Sequence, residues 1–208
     1  MESNRESGGF VSAAAPTAST ADHSRKGGCS KTMIDFSADH FSLFQLPRRY
    51  RIDSAQLDRA YRVLQGAIHP DRHAAGGDAG RRRALQASAR VNEAYATLRD
   101  PAARGEYLLG LNGVESLADT DTAMPMDFLL EQLERRETIE EARAKGDHPA
   151  LEQALAGIAV ERAALEAEVA GAIDDRAALD EAKTAVRKLR FLDRVKHEIN
   201  DALIEADA

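Results

Sequence analysis

Five consecutive residues, Ile68-His69-Pro70-Asp71-Arg72, gather more chemistry than any other stretch of the chain. Asp71 can accept charge-assisted, bidentate hydrogen bonds from an arginine on another protein. His69 can donate and accept, or become cationic. Pro70 fixes the backbone, which lowers the cost of ordering a contact. These groups are suited to pressing on a partner rather than to breaking a bond. A plainer reading stands beside this one: Pro70 ends a helix and Asp71 satisfies loop amides. His69 and His73 are four apart, a spacing that binds metal on a continuous helix. Pro70 interrupts that geometry and no third ligand is near, so no metal is expected. His23, His40, His148 and His197 are scattered. The chain has no Gly-rich phosphate loop of the GxxxxGK form, no nucleophile elbow and no clustered metal ligands. It is not expected to be an enzyme, and no cofactor is expected.

The turn has to be held between helices. Phe41, Leu43, Phe44 and Leu46 form a dense apolar cluster closed by Pro47, which reads as a short packed helix. Asp53, with Gln56 three residues on, has the pattern of a capping box. Leu57, Ala60, Tyr61, Leu64 and Ile68 then recur at helical spacing. Pro70 stops that helix. Residues 73–80, with three glycines, read as loop. Helical spacing resumes from Arg81 to Leu98 through Leu85, Ala89, Asn92 and Tyr95. Asp100-Pro101 opens a fourth helix that ends near Gly113. Beyond a polar stretch, helices are expected from Asp127 to Gly146, over 149–172, and over 177–205 after a break at Asp174-Asp175. Short connections between long helices imply antiparallel packing. The expected organisation is a disordered tail at 1–38, a hairpin domain at 39–112, a linker at 113–126 and a three-helix bundle at 127–208. The tail is Ser-, Ala- and Gly-rich and makes a poor signal peptide.

Composition supports an all-α chain. Aromatic residues are 5% and Trp is absent, against an all-β sandwich. No stretch approaches the ~20 apolar residues of a membrane span. Cys29 is the only cysteine, which removes an intramolecular disulfide and a cysteine-rich zinc site. A single thiol fits a reducing compartment, and a cytoplasmic location is expected. The net charge of -7 is split unevenly: zero over 1–38, +4 over 39–112 and -11 over 113–208. Two blocks of opposite sign imply two domains with different partners. The acidic half speaks against nucleic acid as ligand.

The order helix, His-Pro-Asp turn, helix resembles a J-domain, through which co-chaperones act on DnaK-type ATPases. The residues 41–47 (FSLFQLP), 91–98 (VNEAYATL) with Asp100-Pro101, and 104–109 (RGEYLL) resemble the J-domain of the HscB family of iron–sulfur cluster co-chaperones. Residues 128–134 (FLLEQLE) and 186–192 (VRKLRFL) resemble its C-terminal domain. The resemblance runs from about residue 39 to the C-terminus. It implies an L-shaped arrangement of the two domains. It also implies that His69, Pro70 and Asp71, with Arg59, Arg62 and Arg72, meet an HscA-type chaperone and stimulate its ATPase, with Arg48, Arg49 and Arg51 helping to steer. Ile68 stands where J-domains usually have an aromatic residue, and Gly66 and Ala67 replace polar neighbours, which thins the basic face and marks Ile68 for altered chaperone choice. The paired cysteines of animal relatives are missing.

The same resemblance implies that an IscU-type scaffold protein is held by Leu129, Leu130, Leu133, Glu134, Glu137 and Phe191. Spacing alone leaves the three leucines open between core and interface, since a helix must bury one stripe. Two other functions compete: a general J-protein for misfolded clients, which would often carry Gly/Phe-rich or zinc-binding repeats, and a helical dimer built through residues 127–205.

Overall fold

The computed structural model describes residues 38–68, 77–114 and 124–206. The His69–Arg72 turn, His73, the tail over 1–37 and residues 115–123 of the expected linker lie outside the described residues. What is described is helical and belongs to one compact unit, Met33–Ala208.

Helix α1 (His40–Leu43) is a single turn fixed by Asp39, whose Oδ1 accepts from the Ser42 N–H at 3.0 Å. Gln45 takes a left-handed φ of 56°, which turns the chain so that the Leu46 N–H returns to the Phe41 carbonyl at 2.9 Å. Phe41, Phe44 and Leu46 are thereby buried. Helix α2 (Ser54–Ile68) is capped by Asp53, which accepts from the Ala55 N–H at 2.8 Å. It buries Leu57 and Ile68, with Ala60, Tyr61 and Leu64 half-buried beside them.

Helix α3 (Gly77–Arg99) starts four residues before the expected Arg81. Gly77 enters it at φ +64°, a conformation that favours glycine, and Asp78 in the first turn complements the helix dipole. The helical period was correctly read but its face was not. Leu85, Ala89 and Asn92 are exposed, and the buried stripe is Ala84, Ala87, Val91, Ala94 and Leu98. This stripe, rich in small alanines, is the side on which α3 packs against its neighbours α1, α2 and α4.

Helix α4 (Pro101–Leu111) begins with Asp100 accepting from the Ala103 N–H at 2.6 Å. Helix α5 (Met126–Lys145) ends at Gly146 in the left-handed region, with the Asp147 N–H closing on the Ala142 carbonyl at 2.9 Å. Asp147 then caps α6 (His148–Ala170) through the Ala150 N–H. The expected break at Asp174-Asp175 is a π-helical turn, Gly171–Arg176, ended by Ala177 at φ 52°. Helix α7 (Leu179–Ala206) is the longest and packs against α6, α5, α4 and this turn.

Gly105 of α4 sits so close to α7 that an added Cβ would lie 2.6 Å from Val186 Cγ2. One apolar cluster therefore runs from Phe41 and Leu98 through Leu108 and Leu109 to Val169, Val186 and Ile199.

Candidate functional site

Two exposed faces are built on opposite halves of the chain. The first is the outer side of α2. Leu57, Leu64 and Ile68 turn inward, which leaves Arg59, Arg62 and Val63 exposed. Arg59 reaches back to Asp53 at 3.6 Å, a contact between two exposed groups that leaves its guanidinium available. Arg62 Nε donates to the Asp58 carbonyl at 3.2 Å. A polar seam ties α2 to α3 beneath these arginines. Tyr61 stacks on Tyr95 with ring centroids 4.0 Å apart. Tyr61 Oη donates to Asn92 Oδ1 at 3.0 Å, and Tyr95 Oη donates to Asp58 Oδ1 at 2.8 Å. That bond pushes the Tyr95 phenol up from its ordinary pKa. This seam was missed in the sequence, although aromatic and Asn positions on both helices carried the signal.

Three arginines expected to widen this basic face are engaged by their own chain. Arg48 pairs with Asp39 at 2.5 Å. Arg49 and Arg51 face Asp174 at 3.8 and 3.7 Å, and Arg51 also makes two 3.0 Å bonds to Asp175. Ile68 is 4% exposed, so its side chain packs into the core.

The second face lies on α5. Phe128, Gln132, Arg135, Ile139 and Ala142 follow at spacings of four and three and turn toward the bundle. Met126, Leu130, Leu133 and Glu137 follow at the same spacings on the opposite side. Leu130 and Leu133 are each 56% exposed and Met126 70%, with Leu129 at 40% on the flank. Glu134 and Glu137 are exposed beside them. The three leucines are therefore not core residues. Phe191 comes to α5 from α7. It is half-buried, edge-on to Phe128 at 5.6 Å, and lines a groove of about 360 Å³ with Gln132, Arg136 and Ile139. The Arg194 guanidinium lies 5.8 Å from its ring.

No group of three His, Cys, Asp or Glu side chains among the described residues is placed to hold a metal. No described helix is long and apolar enough to cross a membrane.

The family model described as the HSCB C-terminal oligomerisation domain matches residues 124–200, which contain the α5 face and Phe191. The co-chaperone protein HscB homolog of Azoarcus sp. (strain BH72) is 46% identical over 170 residues, covering 82% of this chain and 96% of that protein. The chain belongs to the HscB family. It is accordingly a J-protein co-chaperone of iron–sulfur cluster assembly, a class that acts on other proteins. HscB structures share its fold. The chaperone HscB from Vibrio cholerae is 32% identical, with a TM-score of 0.72 over 81% of this chain and 99% of that one. The human co-chaperone protein HscB is 31% identical, with a TM-score of 0.74 over 80% and 82%.

Proposed function

We propose that this chain carries an IscU-type scaffold on α5 to an HscA-type, DnaK-like ATPase and stimulates its hydrolysis. In this reading residues 39–112 are the J-domain, 113–126 the linker and 127–208 the cargo domain, working in the cytosol. The observation that carries the reading is the apolar stripe of α5, exposed opposite the buried one and bordered by Glu134 and Glu137. An exposed apolar patch with a charged rim is the build of a protein interface. At the other half, Arg59 and Arg62 give positive charge that steers the domain to an acidic chaperone surface. Asp71, three positions past that helix in the sequence and next to Pro70 and Arg72 there, then offers a carboxylate to an arginine of the chaperone, with His69 two positions before it. Removing one partner of such a desolvated charge pair is expected to cost on the order of 2–5 kcal/mol of binding.

The test is Asp71→Ala, assayed with a purified DnaK-type chaperone. The variant is expected to keep the wild-type melting temperature and scaffold affinity and to lose ATPase stimulation. Stimulation equal to the wild type would remove the reading.

A second reading, self-association through residues 124–200, is favoured by the matched model's description as an oligomerisation domain and by Val160, 73% exposed on α6. Light scattering separates it, because it requires a dimer in the absence of scaffold.

A further inference from the structure

A cleft of about 840 Å³ lies where the α3–α4 corner meets α6 and α7. Arg99, Arg162, Arg190, Arg194, Lys196 and His197 line it, against only Asp100 and Asp193. All but Arg99 of these side chains belong to the half of the chain that carries a net charge of -11. Two are neutralised locally: Arg162 by Asp193 at 2.9 Å, and Arg190 by Glu106 of α4. Arg99, Arg194 and Lys196 are exposed, and among the described residues no carboxylate stands within 4 Å of them. An acidic half that concentrates unpaired cations in one concavity presents a local field opposite to its own net charge.

The cleft is linked to the basic face of α2 by a chain of side-chain contacts. Arg99 lies 5.7 Å from the ring of Tyr95. Tyr95 stacks on Tyr61 and donates to Asp58, whose carbonyl accepts from Arg62. One path thus runs from Arg62 through the tyrosine pair to Arg99, and across the cleft to Lys196 and Arg194 on α7. The shape fits a chain of carboxylates better than a single anion. The N-terminus of α4, the natural phosphate cradle here, is already closed by Asp100 accepting from Ala103. The free cations are instead spread over two helices.

We propose that this cleft takes an acidic segment of the same chaperone that docks on α2, so that α7 of the cargo domain adds a second contact to the one made by the J-domain. The proposal rests on the reading of α2 as the chaperone face and names a further part of that interface. Its consequence is that chaperone affinity depends on the C-terminal half, not on residues 39–112 alone.

The test is the double variant Arg99→Glu, Lys196→Glu in the full chain, titrated with a purified DnaK-type chaperone. The dissociation constant is expected to rise about tenfold in about 0.05 M salt, and the difference to shrink below about twofold in about 0.5 M. Stimulation at saturating concentration and scaffold affinity are expected to stay at wild-type levels. A melting temperature equal to the wild type checks the fold, and Arg99→Gln, Lys196→Gln replaces the pair if charge reversal lowers it. Wild-type chaperone affinity in either double variant overturns the inference. So does tight binding of a single-stranded oligonucleotide that the variants abolish, since the cleft would then serve nucleic acid. Asp71→Ala in the same assay separates the two levels: if it still stimulates, the reading of α2 and the turn fails, and if it is silent while the double variant binds normally, only the cleft does.

Discussion

Leu130 and Phe191 were expected to share a role, and their surroundings differ. Leu130 is 56% exposed, so trimming it removes little packing. Phe191 is half-buried against Phe128. Leu130→Ala is expected to weaken scaffold binding by about 1–3 kcal/mol, the cost of losing an apolar anchor, with no change in melting temperature. Phe191→Ala is expected to lower the melting temperature as well. Calorimetric titration and thermal melts measure the two effects separately, and lost stability with retained binding for Leu130→Ala would return it to the core. A second residue-level expectation concerns acid. Burial, helped by the nearby Arg90, holds His40 below its ordinary pKa of 6.5. The ring stacks on Tyr107 at 4.1 Å and its Nδ1 has no partner. The unfolded chain therefore binds the proton more readily. The stability from a neutral His40 is complete above pH 6.5 and is lost as pH falls through 6.5 toward the lowered folded value. His40→Phe, which keeps the stack, is expected to remove that loss in urea melts at pH 7.5 and 5.5. Asp39 acts in a lower window. Burial raises its pKa, but hydrogen bonds from Ser42 and Arg48 outweigh burial and hold it at about 2. Its contribution is present above pH 3.8 and disappears only as pH falls toward 2.

At the scale of elements, the π turn between α6 and α7 does what an ordinary break would not. It points Asp174 at the loop before α2. The Asp174 side chain is 1% exposed and accepts the Tyr50 N–H at 2.6 Å and the Arg51 N–H at 3.0 Å. Two backbone donors 124 and 123 residues away are satisfied by one carboxylate, which pins the loop before α2 to the turn between α6 and α7. Asp174→Ala would leave both donors without their acceptor and is expected to cost about 2–3 kcal/mol. Asp174→Asn keeps one oxygen and is expected to cost less. Urea unfolding of the two variants checks the order, and equal stability of wild type and Asp174→Ala would show the bonds to be dispensable.

The whole molecule is held by the contact of α4 with α7. Tyr50 is 3% exposed and the Arg104 guanidinium lies 4.7 Å from its ring, while Gly105 admits Val186. Because one apolar cluster passes through this contact, the two halves are expected to unfold together. Calorimetry should show a single transition coincident with tyrosine fluorescence, which needs no correction for tryptophan because the chain has none. Gly105→Ala forces its new methyl against Val186 and is expected to lower the midpoint by an overpacking cost of about 1–3 kcal/mol. Two separated transitions in the wild type would mean that the contact is weaker than its burial implies.

The sequence by itself determined the helices, because their signals are local. Asp100-Pro101 and Gly146-Asp147 act on the backbone within one turn of where they stand. It also carried the family, through motifs in both halves. What it left open was which side of each helix faces inward. On α3 the small alanines are buried and Leu85 is exposed, and on α5 the aromatic Phe128 is buried while three leucines are not. Residue hydrophobicity ranks candidates for burial, but the neighbouring helices choose among them by fit. Only the tertiary structure decided that Ile68 belongs to the core, that Arg48, Arg49 and Arg51 are held by their own chain, and that Asp174 reaches a loop more than a hundred positions away. Those outcomes depend on pairings between distant segments, which no local pattern encodes.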